Sequence, residues 1–144
     1  MLQVKNLSVK FSSHKNEVEV VKQVSFDLGE HKILGIVGES GSGKSVTSLS
    51  ILGLLSENAI LGGEIFFKEK NLATLSDKEF QKIRGKNIGM IFQEPMSSLN
   101  PTLTCGNQVC EVLKQHTSLN KKEIFKEVIT LFEKVKLPTP HRIF

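Results

Sequence analysis

The chain has 144 residues, 39% of them hydrophobic and 24% charged, which suits one domain with a sizeable core and excludes a low-complexity polymer. The net charge of +4 comes from scattered lysines; it fits phosphate ligands, anionic membrane surfaces or nucleic acid and selects none of them. Two cysteines, Cys105 and Cys110, make neither a disulfide framework nor a zinc-ligand spacing and read as reduced thiols.

No secretory pattern precedes the first strand. The longest apolar run, around Ile51–Leu55, is far short of the ~20 residues of a membrane span. The expectation is a cytoplasmic chain whose membrane link comes through a partner.

Taken in order, Leu2–Phe11 alternates with apolar Leu2, Val4, Leu7, Val9 and Phe11, the pattern of a half-buried strand. Ser12–Asn16 is turn-like, and Val18–Leu28, rich in Val and Phe, predicts a second strand. After a turn at Gly29-Glu30, the short apolar run in Lys32–Val37 predicts a strand buried on both faces. Lys44–Leu55 predicts a helix, and Gly62-Gly63 a break before a strand at Glu64–Phe67. Ser76–Ile83 predicts a short helix, with Ser76 and Glu79 spaced as a capping box. Ile88–Phe92 predicts a further buried strand, and Pro95 and Pro101 bracket a loop. Leu103–Leu113 is expected to be partly helical. Asn120–Val135 predicts an amphipathic helix that packs Ile124, Val128, Leu131, Phe132 and Val135 into a core, capped by Asn120 and Glu123 and ended by Pro138 and Pro140.

The residues that carry chemistry are Gly38-Glu39-Ser40-Gly41-Ser42-Gly43-Lys44-Ser45, which fit G-x-x-x-x-G-K-[ST]. A triphosphate presents several anionic oxygens that must be held as their water leaves. Backbone N–H groups of a curled loop can surround them, and glycines keep Cβ atoms out of the way. Lys44 supplies a mobile positive charge for the β and γ phosphates, the Ser45 hydroxyl can ligand Mg²⁺, and the helix that starts here points its positive end at the anion. A strand before the loop and an apolar helix after it are what the motif requires; the competing reading is a Gly/Ser-rich surface loop.

Gln93 follows the Ile88–Phe92 run, where it can reach a metal ion or water beside a γ phosphate; taken by itself it reads more often as a solvated loop residue. Phe11 is the candidate for stacking on a base, since the chain has no Trp or Tyr, and fits as well as a core residue of the first strand.

Gly35–Ser45, followed by Phe92-Gln93-Glu94-Pro95-Met96-Ser97-Ser98-Leu99-Asn100-Pro101 and preceded in the second half by Arg84-Gly85, resembles the ATP-binding subunits of ABC transporters, in the oligopeptide, dipeptide and nickel importer branch. The resemblance runs from Met1 to Phe144. It implies an α/β P-loop NTPase fold, with an N-terminal antiparallel β subdomain and the P-loop core over about 1–95 and the Q-loop and start of a helical subdomain over about 96–144. It implies that Gly38–Ser45 is the Walker A loop binding ATP and Mg²⁺, with Ser45 and Gln93 on the metal. Gln93 would be the Q-loop glutamine and Phe11 the adenine-stacking aromatic. The implied partners are transmembrane permease subunits, a second ATP-binding subunit and a separate substrate-binding protein, with no nucleic acid. The implied location is peripheral, on the cytoplasmic face of the membrane. Glu69 departs from the family, which usually has glycine at that turn.

Other family parts are missing: a Leu-Ser-Gly-Gly signature, a Walker B strand ending in Asp, a catalytic Glu and a switch His. The only aspartates, Asp27 and Asp77, follow no run of four apolar residues. The expectation is an N-terminal portion that stops before the signature, binds nucleotide and hydrolyses it weakly or not at all. The alternative is a non-hydrolysing remnant of an interrupted gene. A soluble P-loop kinase would need an arginine-rich lid, yet the chain has only Arg84 and Arg142; a repair ATPase of this family would carry long heptads, and none occur.

Overall fold

The computed structural model describes residues 1–13, 16–94 and 98–144. They divide into two units, Met1–Gln81 and Lys82–Phe144.

The first unit is built on a four-stranded antiparallel sheet. Strands β1 (Leu2–Ser12), β2 (Glu17–Leu28), β3 (Ala59–Phe67) and the short β4 (Lys70–Asn71) lie in the order β2-β1-β3-β4. Both N-terminal strands form as expected, β1 from its alternation and β2 from its Val and Phe content. The step from Val4 to Leu7 breaks the period of two, and the sheet absorbs it with a bulge at Asn6, whose φ is 49°. Val4, Leu7 and Val9 therefore all reach the buried face, with Ile65 of β3 beside them. Ser25 satisfies the displaced backbone: its Oγ accepts from Asn6 N at 2.8 Å.

Opposite that bulge stands Gly63, at φ 85°, where a Cβ would collide with the Lys5 and Asn6 carbonyls. Gly62-Gly63 is thus no break. Both glycines lie inside β3, because the bulged partner strand leaves no room for a side chain at position 63. At the hairpin after β3, the positive φ falls on Lys68, and Glu69 is the other turn residue.

Helix α1 (Lys44–Leu52) ends three residues earlier than its apolar pattern, because Gly53 takes the left-handed conformation (φ 61°) and closes the last turn through its N–H. A 3-10 turn, Leu72–Thr74, and the short α2 (Asp77–Phe80) complete the unit, with Leu52, Leu72 and Phe80 buried. The capping box of α2 forms as expected: Ser76 N donates to Glu79 Oε2 at 2.9 Å.

Two predicted strands do not form. Lys32–Val37 has no strand structure, with Ile33 100% and Val37 92% exposed. In Ile88–Phe92 only Ile88 makes a bridge, to Arg84, and Ile91 is 92% exposed. A buried strand needs neighbours on both edges to satisfy its N–H and C=O groups. Among the described residues, neither segment pairs with any strand of the sheet.

The second unit holds α3 (Cys105–His116), α4 (Lys121–Lys134) and the one-turn α5 (Pro140–Ile143). Cys110 packs with Ile124, Val128 and Phe132, flanked by Val109, Leu113, Ile143 and Phe144. Asn120 Oδ1 accepts from Lys122 N and Glu123 N, and Glu123 Oε2 accepts from Asn120 N, the expected capping box. The apolar face differs slightly from the expectation: Ile129 is buried and Val135 is 67% exposed, because α4 ends at Lys134 and Val135 leaves the helical path. Pro138 follows α4, whereas Pro140 opens α5 at its first position, where its missing N–H has no cost.

Candidate functional site

The glycine-rich loop runs directly into α1, with Gly43 as the residue before the helix, at φ 91° and ψ 1°. Only glycine adopts that conformation without strain, and space imposes the same choice. A Cβ on Gly43 would lie 3.0 Å from the Val20 carbonyl oxygen and 3.1 Å from Val21 Cγ2. Strand β2 therefore forms a wall directly behind the loop. That wall is itself irregular: between Val9↔Val21 and Lys10↔Glu19 the register shifts by one, which leaves Val20 as the extra residue.

Two latches hold the loop shape. Thr47 N and Thr47 Oγ1 both donate to Gly43 O, at 2.8 and 3.0 Å, and Thr47 is only 4% exposed. Ser42 N donates to Glu39 O at 3.2 Å and curls the chain. Inside this curl, Lys44 Nζ donates to Gly38 O at 2.7 Å, Glu39 O at 2.6 Å and more weakly to Ser42 Oγ at 3.4 Å. The ammonium is thus folded back over the loop and held by partial negative charges that anionic oxygens can replace. Ser45 is exposed, one residue into the helix, and α1 has no acidic residue in its first turn to compete for its positive end.

A cavity of about 220 Å³ is lined by Val20 and residues 41–46, and a second of about 290 Å³ opens beside Gly38, Ser42 and Lys44 against Phe26 and Val37. A further cavity of about 310 Å³, among Gly53, Leu61, Leu72 and Phe80, contains none of the loop's groups. A free glycine backbone, a retractable cation, an exposed hydroxyl and an unopposed helix start fit a phosphate chain with its metal ion.

Phe11 is half-buried near the end of β1, paired with Val18 of β2 and Ala59 of β3. It stands one strand away from the segment that walls the loop, and both belong to the first unit. Gln93 belongs to the second unit, exposed and outside regular structure. Pro95, Met96 and Ser97 of the resembling run lie outside the described residues. Val20, Val21 and Thr47 escaped sequence reading. Thr47 belongs to no motif within α1, and a bulge leaves no periodic signal. No helix of the described residues is long and apolar enough to cross a membrane, and no group of three or more His, Cys, Asp or Glu among them could hold a metal ion.

Comparison with known proteins identifies the family. The ABC transporter family model matches residues 21–143. The chain is 49% identical to a dipeptide transport ATP-binding protein, DppD, of Bacillus subtilis, over 97% of this chain and 42% of the relative. It is 46% identical to the oligopeptide transport ATP-binding protein OppD of the same organism, over 99% of this chain and 40% of the relative. The OppD protein of Escherichia coli is 43% identical, over 96% and 41%. The chain therefore spans about two fifths of the length of these relatives.

Among solved structures, the dimeric bacterial ABC transporter cassette MJ0796 superposes with a TM-score of 0.80 at 26% identity, covering 96% of this chain and 59% of that one. The same cassette bound to ADP and phosphate superposes at 0.75 with 28% identity, covering 92% and 57%. With its glycine loop, its antiparallel sheet and these matches, the chain belongs to the ABC transporter family.

Proposed function

We propose that this chain binds MgATP at Gly38–Ser45 and is the nucleotide-binding portion of an ATP-binding subunit that energises peptide import. The observation that carries the reading is the loop itself, curled around Lys44 Nζ at the start of a helix and backed by Val20. On nucleotide binding, Lys44 exchanges its carbonyl partners for β and γ phosphate oxygens, and the loop N–H groups surround the rest. The Ser45 hydroxyl would hold Mg²⁺, whose charge would neutralise the phosphates. Phe11 stacks on the adenine. Dipeptide and oligopeptide, rather than nickel, are favoured by the names of the similar proteins.

In this reading the chain works on the cytoplasmic face of a membrane. Its partners are permease subunits, a second ATP-binding subunit and, through the permease, a substrate-binding protein. Residues 96–144 form the start of the helical subdomain facing the permease. The 144 residues bind nucleotide without appreciable turnover, since hydrolysis needs an acidic metal ligand and a positioned base. Asp27 lies in β2, opposite Gln3, and Asp77 opens α2, so neither follows a buried parallel strand.

The direct test is titration of the chain with a fluorescent ATP analogue in the presence of Mg²⁺, compared with Lys44→Ala. Loss of one charge-assisted phosphate contact should weaken binding by about tenfold or more. Equal affinity in the two proteins would remove the basis for the reading.

A further inference from the structure

Helices α3 and α4 each begin with a side chain that caps them: Thr104 Oγ1 accepts from Asn107 N, and Asn120 Oδ1 accepts from Lys122 N and Glu123 N. Helix α1 begins without one. Its start is Gly43, which has no side chain, and the N–H groups of Lys44, Ser45 and Val46 in its first turn have no acceptor within the helix. The hydroxyls of α1 stand a turn later and bond backwards, each to the carbonyl four residues before it. Thr47 Oγ1 donates to Gly43 O at 3.0 Å, Ser48 Oγ to Lys44 O at 3.2 Å and Ser50 Oγ to Val46 O at 2.7 Å. Thr47 and Ser50 are buried and Ser48 is half-buried.

A peptide unit is planar and trans, so its C=O and N–H point in opposite directions. A hydroxyl that holds Gly43 O along the helix therefore also fixes the Lys44 N–H, which points out of the helix start. The bond from Ser48 to Lys44 O fixes the Ser45 N–H in the same way. Both peptides belong to residues 43–45, which line the cavity of about 220 Å³ beside Val20. The third bond differs. Ser50 holds Val46 O, and the N–H of that peptide is Thr47 N, which already donates to Gly43 O at 2.8 Å.

We infer that Thr47 and Ser48 are positioning residues: by pinning the Gly43 and Lys44 carbonyls, they aim the Lys44 and Ser45 N–H groups at the phosphate chain. The inference rests on reading Gly38–Ser45 as the phosphate site. Its physical reason is preorganisation. A capping side chain would occupy the first-turn N–H groups and compete with an anion, whereas pinning from the carbonyl side orders them and leaves them free. Less freedom is then lost when the anion arrives.

The 144-residue chain and four variants are titrated calorimetrically with the Mg²⁺ complex of non-hydrolysable AMPPNP. Thr47→Val and Ser48→Ala should each weaken binding about two- to tenfold. Thr47→Ser, which keeps the hydroxyl, should bind within about twofold of the unaltered chain. Ser50→Ala deletes the same kind of bond from the same helix but aims no free N–H, so it should also bind within about twofold. A role confined to holding α1 together would weaken S50A alongside T47V and S48A.

Unaltered affinity in either T47V or S48A would overturn the inference. So would an S50A variant weakened as much as T47V, or a T47S variant that binds no better than T47V. Absence of binding by the unaltered chain would instead defeat the nucleotide reading itself, and this inference with it.

Discussion

Gly43 and Val20 meet so closely that a single Cβ on the glycine would stand 3.0 Å from the valine's carbonyl oxygen. The P-loop is therefore not a free surface loop but one pressed against a bulged strand. The contact converts a feature of the β sheet into the shape of the glycine-rich loop, since the bulge at Val20 determines where that carbonyl points.

Gly43→Ala tests this contact. The new methyl meets backbone, which cannot rotate away, and the left-handed φ adds its own strain. Destabilisation of about 1–3 kcal/mol is expected from chemical denaturation, together with loss of nucleotide binding. Gly35→Ala, where a Cβ meets nothing within 4 Å, should leave both nearly unchanged.

Thr47→Val removes the side-chain bond to Gly43 O while keeping the shape of the buried residue. The expected cost is about 0.5–1.5 kcal/mol of stability, with nucleotide affinity reduced because the loop is less ordered before binding. Thr47→Ser, which keeps the hydroxyl, should retain most of the affinity. Calorimetric titration of both variants checks the difference.

The exposed Ile33 and Val37 predict an asymmetry with the core. Val37→Thr and Ile33→Thr in this chain should change stability by no more than about 0.5 kcal/mol and should reduce aggregation at high concentration. Ile65→Ala, fully buried in β3, should cost about 2–5 kcal/mol. Denaturant midpoints and light scattering measure the two effects.

Glu79 predicts a pH dependence. Hydrogen bonds from the Ser76 backbone and hydroxyl, with Lys70 at 3.7 Å adding a weaker pull, hold its carboxyl below the ordinary glutamate value. Because the folded form binds its proton less readily than the unfolded chain, its stabilisation is complete above the ordinary carboxylate range. It is lost as pH falls through the lowered value. The unaltered chain should therefore lose melting temperature more steeply on acidification than Glu79→Ala, and thermal melts across that range compare the slopes.

The candidate site could be proposed from the chain because its chemistry is local. Eight consecutive residues carry the glycines, the lysine and the hydroxyl, and the short-range rules for caps place the starts of α2 and α4 from Ser76/Glu79 and Asn120/Glu123, although α2 ends at Phe80, short of the expected Ile83. Alternation identified β1, and Val and Phe content identified β2. These features depend on neighbours a few residues away, so sequence alone determined them, along with the family resemblance.

What depends on distant partners was decided only by the tertiary structure. Ile33–Val37 and Ile88–Phe92 have the composition of buried strands, but a strand is defined by the chain beside it, and neither segment acquires one among the described residues. Gly62 and Gly63 looked like a break and became the middle of β3, because the bulge at Asn6 demands a residue without a side chain opposite it. The wall behind the loop, Val20 against Gly43, joins positions 23 residues apart through a register shift that no periodicity records. The residues of the glycine-rich loop were thus set by sequence, while the surface that gives the loop its shape was set by the sheet.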